Sequence, residues 1–489
     1  MPIALGFSGK HLRAVSAMLP SVALAIWCMI PAPSHAVPFK DDFRSSPLGS
    51  LLEAMPENRW AKANINSFSD VWMSPSKEPA GGFGSPHSII EAWSSMAWDS
   101  NRGDLVFWGG GHANYAGNEV YRWRGSTLEW ERASLPSEVV RVDDSTARYE
   151  TVDGPLNAPV SSHTYDNQVF LGVADRFATF GGAAWNTGGS FTIEDENGVL
   201  VRTGPYFWDP SRANGDAVGG LSGSGVDPSD PGGQMWENRN NINVLPPGVG
   251  GFVEGTTAAT QENGKDVVYI EYGRGLWKMT VNDVNDPSQD TYEQVGSRFA
   301  SYSGGGAGDY DPSRNIYLRS HNTGFTFFDL NSAGPGNRNQ MVDFTDLTGG
   351  LFSPGAGLGL VYDKVRERFV VWDGNDNLFA LIAPEIMGPD GWAVSLIDPI
   401  GLIAPAADSI GIFRGVLGKF EYLDGLDVFA GVIDATSGDV WFYKPENWSP
   451  ELAGIVVAVS EPAAAISLAG GFLLLILIGR ARRRSGALA

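Results

Sequence analysis

Short apolar and aromatic runs recur along the chain from about residue 37 to residue 450. They are separated by Gly, Asp, Asn and Pro, and no long amphipathic helical pattern interrupts them. Short hydrophobic runs between turn residues are typical of β-strands that pack in an all-β domain. The pattern therefore predicts a single β-rich region over residues 37–450.

Six of these runs resemble one another. Each begins with an Asp-containing turn, continues with a charged residue and a β-branched or aromatic run, and ends on Gly or Ser. They span 98–110, 173–182, 262–273, 310–320, 362–374 and 422–431. A further aromatic strand follows most of them, at 119–123, 276–279, 325–329 and 439–443. The later copies follow one another about every 50 residues, so the chain is predicted to repeat a unit that starts with a hairpin.

Two of the copies end in the Gly doublets Gly109-Gly110 and Gly181-Gly182. Together with the repeat period, these doublets resemble kelch repeats and, more distantly, the central domain of galactose oxidase. The resemblance implies an all-β fold, a six- or seven-bladed kelch-type β-propeller. The stretch Trp60 to Met73 would pair with the last strands to close a seventh blade, and 213–251 would be an insertion. An irregular β-sandwich or a β-helix is the alternative fold.

The N-terminus has the features of a secretory signal over residues 1–36. Basic Lys10 and Arg13 precede a mostly apolar run, and Ser34-His35-Ala36 forms a small-x-small cleavage pattern. A transmembrane anchor is the alternative. The chain's single cysteine, Cys28, lies in this segment. The mature protein is therefore expected to lack thiol catalysis, thiolate metal sites and the Tyr–Cys crosslink of a copper-radical oxidase.

The C-terminus carries a second targeting pattern. A linker and sorting motif (451–462) contains Ser460-Glu461-Pro462, an apolar run (463–479) is long enough for one transmembrane helix, and a basic tail (480–489) is expected to stay cytoplasmic. A buried hydrophobic helix is the alternative for the run. The order of motif, span and Arg cluster resembles the PEP-CTERM sorting signal of Gram-negative bacteria. That resemblance implies an exosortase-type partner, export to the cell envelope or surface, and release to the matrix after processing.

Charge narrows the choice of ligands. The net charge of −22 makes nucleic acid an unlikely partner, because few basic residues are available to neutralise phosphates. Acidic turns at Asp216, Asp227, Asp230 and Asp373–Asp376 carry the oxygen ligands that Ca²⁺ prefers, although they lack EF-hand spacing. Calcium is therefore a candidate cofactor, and the cofactor content is otherwise unknown.

The kelch connectivity would place four histidines on one face of the propeller. His112 and His321 follow second strands, whereas His87 and His163 precede first strands. Other residues expected to bind a ligand on this face are Asn118, Trp185, Asn186, Asn322 and Asp373. The alternative is a structural role, in which the Gly-Gly-Gly-His segment is a tight turn and the histidines form hydrogen bonds between neighbouring blades.

Three functions remain open. The first is an exported, surface-anchored propeller that binds a glycan or small ligand on the histidine-bearing face. The second is a polysaccharide lyase or hydrolase with His112, His163, Tyr115 and Arg274 as catalytic residues, because such side chains can remove a proton beside a carboxylate and neutralise the charge that develops. The third is a structural surface or matrix protein. A catalyst would need these side chains to converge in one pocket.

Overall fold

A computed structural model describes residues 43–450 except for 81–83, 92, 111–114, 144–147, 184–190, 243–253, 273–274, 301–303, 376, 398, 400–404 and 408–414. The chain divides into a unit Met1–Val37, outside the described residues, and a unit Pro38–Ala489. The predicted signal, sorting motif, apolar run and basic tail also lie outside the described residues. Within the described part, no helix is long and apolar enough to span a membrane.

Strands dominate the described chain. In chain order the first elements are α1 (Pro47–Ala54), β1 (Arg59–Lys62), α2 (Ser88–Glu91), β2 (Met96–Asp99), β3 (Asp104–Phe107), β4 (Tyr121–Arg124), β5 (Glu129–Arg132), β6 (Val139–Asp143), β7 (Arg148–Thr151), β8 (Gln168–Leu171), β9 (Arg176–Thr179), β10 (Thr192–Glu194), β11 (Leu200–Arg202), β12 (Tyr206–Trp208) and β13 (Trp236–Asn238). The remaining strands are β14 (Thr256–Glu262), β15 (Lys265–Tyr272), β16 (Gly275–Thr280), β17 (Thr291–Ser297), β18 (Gly308–Asp311), β19 (Ile316–His321), β20 (Gly324–Asp329), β21 (Gln340–Met341), β22 (Phe344–Asp346), β23 (Gly359–Asp363), β24 (Arg368–Trp372), β25 (Leu378–Ile382), β26 (Trp392–Ile397), β27 (Phe420–Leu423), β28 (Val428–Val432) and β29 (Val440–Lys444). Short 3-10 turns lie at Phe43–Ser45, Phe68–Val71, Pro75–Lys77, Pro210–Arg212, Pro287–Gln289, Leu330–Ser332 and Leu417–Lys419.

The strands form the sheets of a six-bladed β-propeller. Among the described residues, blade 1 is β2-β3-β4-β5, blade 2 is β8-β9-β12-β13, blade 3 is β14-β15-β16-β17, blade 4 is β18-β19-β20-β21, blade 5 is β23-β24-β25-β26 and blade 6 is β27-β28-β29-β1. The first strands of consecutive blades are neighbours, and β27 returns to β2. This closed ring of inner strands surrounds a central channel.

The six predicted hairpins are the first two strands of the six blades, and the four predicted aromatic strands are β4, β16, β20 and β29. One expectation is corrected. The N-terminal stretch does pair with the last strand, with Trp60 opposite Tyr443, but it completes blade 6 and builds no seventh blade.

Burial between blades explains the hydrophobic runs. β2, β3 and β19 are buried at every position because neighbouring blades cover both faces of each sheet. The outermost β17 instead alternates between exposed and covered positions over its first half. Inner strands therefore read as continuous apolar runs and outer strands as mixed ones.

Only the first part of the predicted insertion, 213–251, lies inside blade 2. Residues 209–235 connect β12 with β13, 236–238 are β13 itself, and 243–251 lie outside the described residues. A separate hairpin, β10-β11, lies between β9 and β12. Blade 5 gains a fifth strand, because β22 pairs in parallel with β26. Neither the two added hairpins, β6-β7 and β10-β11, nor this parallel strand has a signal in the repeat pattern.

Candidate ligand-binding site

The connections between blades, and those between second and third strands, lie on one face of the propeller, which we call the loop face. His87 and His163 lie on connections that lead into blades 1 and 2, and His321 ends the second strand of blade 4. The predicted His112, Trp185, Asn186 and Arg274 lie outside the described residues. The loop face is therefore the region in which to look for a ligand site.

An aromatic cluster at the centre of this face contains His163. The N–H groups of Thr164 and Tyr165 donate to the carbonyl of Trp93 over 3.0 and 2.8 Å, which fixes the connection into blade 2 against the connection into blade 1. The ring of Trp93 lies 5.8 Å from that of His163 and 6.4 Å from that of Tyr165. His163 Nδ1 is 3.2 Å from Tyr165 Oη. Trp93, His163 and Tyr165 are referred to below as the aromatic cluster.

Tyr165 holds its proton in this environment. Its burial, reinforced by the carboxylate of Glu254, raises the pKa of Tyr165 well above the usual range. A protonated phenol can donate to Nδ1 of His163, which leaves Nε2 of a neutral imidazole as the N–H. The pair thus combines a phenol proton donor with an imidazole acceptor.

Tyr165 and Asp166 lie across the loop-face end of the channel, which we call the channel mouth. A Cβ placed on Gly305 would lie 3.3 Å from Tyr165 Cδ1 and 3.6 Å from Leu417 Cδ2. Asp166 Oδ2 accepts from the N–H of Gly308 over 2.8 Å. These two residues therefore contact elements of blades 4 and 6 although they belong to the connection into blade 2.

Glu254 connects the aromatic cluster to a row of arginines. Its carboxylate accepts from the N–H of Gly304 over 3.1 Å, and its carbonyl accepts from Arg319. Arg319 forms an ion pair with Glu271, and both side chains are buried between blades 3 and 4. Arg298 approaches the same carboxylate at 3.7 Å. One carboxylate, that of Glu271, thus faces two guanidinium groups.

Arg202 extends this row toward blade 2. It is half-buried, and its guanidinium lies 5.9 Å from the centre of the Tyr272 ring. Burial lowers the pKa of Arg202, and Tyr272 partly offsets that effect. Among the described residues no carboxylate lies within ion-pair distance of it. We call Arg202, Arg298 and Arg319 the arginine row. Its excess of positive charge, in a chain of net charge −22, favours an anionic ligand.

Two predicted ligand-binding residues lie at the edge of the arginine row. His321 is fully buried, and burial together with Arg319 lowers its pKa to about 4, so that it is neutral at physiological pH. Its Nδ1 accepts from the N–H of Thr323 over 3.3 Å. Asn322, the next residue, is exposed. His321 is therefore placed as a neutral group beneath the surface, with Asn322 above it.

His87 and Asp373 make mainly local contacts. His87 Nδ1 contacts Ser85 Oγ, and its Nε2 lies 2.8 Å from Glu91 Oε2 in α2. Asp373 accepts from the N–H of Asn375 over 2.8 Å, which is ordinary turn chemistry. Both lie on the loop face, away from the arginine row in sequence and topology.

Tyr115 and Asn118 face the interior. Each is 2% exposed. The Tyr115 hydroxyl donates to Glu119 Oε1 over 2.6 Å. The Asn118 amide donates to the carbonyl of Pro159 and its oxygen accepts from the N–H of Ser137, both over 2.8 Å. These contacts tie blade 1 to the connection into blade 2, and they do not bring Tyr115 into the aromatic cluster.

The inner strands surround a channel of about 570 Å³ below the mouth. Asp166, Asp309 and Glu421 line it. Burial raises the pKa of Asp309 to about 7 and those of Asp166 and Glu421 well above their usual values. Repulsion adds to the effect, from Asp309 on Asp166 and from both aspartates on Glu421. In the described part of the chain, no group of three or more His, Asp, Glu or Cys side chains is placed to share a metal ion. In the acidic turns, Asp227 and Asp230 both accept from Lys77.

Sequence reasoning missed several residues of this site. Tyr165 and Asp166 directly follow His163, so their position in the same loop was visible, but their reach across the channel was not. Glu254 and Arg202 carry no local signal. Arg319 lies in the second strand of a predicted hairpin, and only its pairing with Glu271 on the preceding blade reveals its surroundings.

No known protein family matches the sequence, and no curated protein matches it either. Solved structures with some similarity include the allergen Mala s 1 of Malassezia sympodialis (11% identity over 80% of this chain and 96% of that one, TM-score 0.33). Others are YCF48 from Cyanidioschyzon merolae (12% identity, 80% and 100%, TM-score 0.30) and an auxiliary nutrient binding protein from Bacteroides ovatus (11% identity, 70% and 94%, TM-score 0.30). At these scores the fold assignment depends on the strand order of the chain itself.

Proposed function

We propose that this protein is an exported, surface-anchored β-propeller whose loop face binds an acidic glycan or a small carboxylate-bearing ligand. The observation that carries the proposal is the arginine row, which Glu254 connects to the aromatic cluster. Arg202 in this row is half-buried and has no carboxylate partner among the residues that the structure describes. Arginine binds carboxylates through two parallel hydrogen bonds. Trp93 and Phe299, which is 77% exposed next to Arg298, offer apolar faces for sugar rings.

The targeting patterns support the location. The N-terminal signal pattern would export the chain, and the apolar run with its Arg cluster would anchor it until an exosortase-type enzyme processes the PEP-CTERM-like motif. The kelch-type assignment is part of the same proposal. It is supported by Gly109 and Gly181, which end the second strands of blades 1 and 2 with φ of 120° and 81°, where other residues are disfavoured.

The binding test uses the full chain and calorimetry with a galacturonate trisaccharide and a neutral trisaccharide. We expect the acidic sugar alone to bind, with an affinity that falls as salt rises. Arg202→Gln should weaken binding at least about tenfold, because a hydrogen bond to a charged group contributes about 1.5–3 kcal/mol. Arg212→Gln is the matched control, because Arg212 lies in the β12–β13 connection of the same blade and pairs with Asp209. Equal binding of both sugars, or an unchanged affinity in Arg202→Gln, would contradict the proposal.

A second function, polysaccharide lyase, is favoured by one observation, the 3.2 Å contact between His163 and Tyr165 beside the arginines. In β-elimination the Tyr165 hydroxyl would turn from Nδ1 to the leaving oxygen and protonate it, the freed Nδ1 of His163 would accept the proton next to the carboxylate, and an arginine would neutralise the developing charge. The same samples are followed at the absorbance band of unsaturated uronates. Product that disappears in His163→Gln, with binding retained, would establish the lyase. Binding without product supports the binding protein, and neither signal leaves a structural role.

A further inference from the structure

Lys419 is a buried amine for which the fold provides no hydrogen bond. It ends the 3-10 turn Leu417–Lys419 directly before β27 and is 1% exposed. Its Nζ has no hydrogen-bond partner within the described part of the chain. Lys444 shows the usual arrangement, because it is 5% exposed and its Nζ donates to the carbonyls of Leu52 and Met55 over 2.8 and 2.9 Å. Buried amines normally have such partners, so the Lys419 amine is an exception that calls for an explanation.

Lys419 lies next to the channel mouth. The preceding Gly418 donates its N–H to the carbonyl of Tyr165 over 3.2 Å, and a Cβ on Gly418 would lie 2.5 Å from that of Ser95. Ser95 is fully buried and its hydroxyl also has no hydrogen-bond partner within the described part of the chain. Two buried polar side chains without a hydrogen-bond partner in the described part of the chain, Lys419 and Ser95, therefore flank Gly418. Together they point to a ligand that brings its own polar group to this side of the mouth.

The chemistry of the amine narrows the ligand class. Burial lowers the pKa of Lys419 to about 7, against the opposing effect of Glu91, so that about half of the molecules carry a neutral, nucleophilic amine near pH 7. Glu91 in turn lies 2.8 Å from His87 Nε2. Carboxylate and imidazole groups are the side chains that most often transfer protons in enzymes. A neutral amine with a proton carrier nearby is suited to reaction with a carbonyl group.

We propose that Lys419 forms a reversible imine with the aldehyde or ketone group of a ligand bound at the channel mouth. The nitrogen lone pair attacks the carbonyl carbon, and the oxygen takes up the displaced electron pair and a proton. The nitrogen loses one proton to give the carbinolamine, the hydroxyl then takes up a second proton and leaves as water as the C–O bond breaks, and the nitrogen lone pair forms the C=N bond as its remaining proton is lost. One amine and one carbonyl give one imine and one water, without oxidation or reduction. The open-chain form of a reducing sugar carries such an aldehyde. This step involves none of the arginine row and does not depend on an acidic ligand.

Trapping with a reductant tests the proposal on the unmodified full chain. The protein is incubated with glycolaldehyde and cyanoborohydride at pH 7, and modified lysines are quantified by peptide mass spectrometry. A lysine of ordinary pKa is neutral in roughly one molecule in 2,500 at this pH, whereas about half of Lys419 is neutral. We expect Lys419 to be modified at least tenfold faster than the surface residue Lys265, and Lys444 to remain unmodified.

The controls separate a reactive site from a merely buried side chain. Lys444 controls for burial, and Lys265 controls for exposure, since its Nζ contacts Asn282 at the surface. A Lys419 that is modified no faster than Lys265, or only after the protein is unfolded in urea, would overturn the proposal. Because the labelling is done on the natural sequence, a variant that fails to fold cannot obscure the result.

Discussion

At the scale of single residues, an aspartate and an arginine recur in the turns between first and second strands. Asp99 with Arg102, Asp311 with Arg314, and Asp363 with Arg366 each form an ion pair within one turn. The aspartate also caps backbone N–H groups of its own turn, as Asp311 does for Ser313 and Arg314. The arginine then reaches the corresponding turn of the next blade. Arg102 binds Asp175, Arg314 binds the carbonyl of Glu367, and Arg366 binds Asp427. These Asp–Arg pairs join adjacent blades on the face opposite the loop face, where the turns between first and second strands lie.

Arg366 should contribute most to stability among these arginines. It donates to both oxygens of Asp427 over 2.7 and 3.0 Å and lies 3.2 Å from Asp363. Both aspartates are almost fully buried. Arg366→Met should lower the free energy of unfolding by about 3–5 kcal/mol, because it leaves the buried carboxylate of Asp427 without its arginine, whereas Asp363 keeps its ion pair with Arg368 at 3.3 Å. Lys364→Met, which breaks the exposed pair with Asp424, should cost less than about 1 kcal/mol. Urea unfolding of both variants measures the difference, and equal losses would refute this role for Arg366.

The sequence predicts the turns of this arrangement but not the contacts between blades. The Asp-containing turn followed by a charged residue was part of the repeat, and it predicted the turn correctly. The destination of each arginine was not predictable, because Asp175 and Asp427 belong to other blades and only the ring brings the turns together. The same limit applies to the site. Tyr165 and His163 are neighbours in sequence, but the contacts of Tyr165 with the Gly305 and Leu417 loops depend on the closed ring.

At the scale of elements, the ring is closed by a strand from the opposite end of the chain. β1 pairs antiparallel with β29 as the outer strand of blade 6. The N–H of Ala63 donates to the carbonyl of Val440 over 2.8 Å, and Lys62 pairs with Asp439. The aromatic pattern around Trp60 predicted this pairing. The number of blades could not be predicted from this pairing, because β1 could have started a new sheet or completed an existing one.

A proline placed in β1 tests how strongly this strand closes the ring. Hydrogen-bonded positions alternate along an antiparallel pair, so the bond at Ala63 implies that Ala61 faces β29 while the N–H of Lys62 points away. Ala61→Pro should therefore lower the free energy of unfolding by about 3 kcal/mol, whereas Lys62→Pro should cost about 1 kcal/mol or less. Denaturant unfolding compares them. If both prolines have the same effect, β1 does not close the ring through this register.

At the scale of the whole molecule, acidity is concentrated where the blades meet. Asp166, Asp309 and Glu421 come from blades 2, 4 and 6, or from the connections into them, and line one channel. Their spacing along the chain gave no indication of this proximity, and no motif marks them. The channel carboxyls lie below the loop face, and burial raises their pKa values and so favours their neutral form. The arginine row lies on the loop face, so an anionic ligand finds its counter-charge at the face and not in the channel.

The channel carboxyls should make stability depend on pH. Burial, together with repulsion from Asp166 and Asp309, raises the pKa of Glu421 in the folded state far above the unfolded value of about 4.3. The folded protein therefore holds a proton that the unfolded chain has lost. This contribution is complete below pH 4 and is lost as pH rises toward the folded pKa, at up to about 1.4 kcal/mol per pH unit.

Glu421→Gln keeps the neutral shape at every pH. The variant should match the natural protein at pH 4 and exceed its stability increasingly between pH 5 and 8 in urea unfolding. Glu293→Gln, on the exposed outer strand β17, is the control and should follow the natural profile. Parallel profiles for the natural protein and Glu421→Gln would show that Glu421 is charged in the folded channel at all these pH values, and that cations or water compensate its charge there.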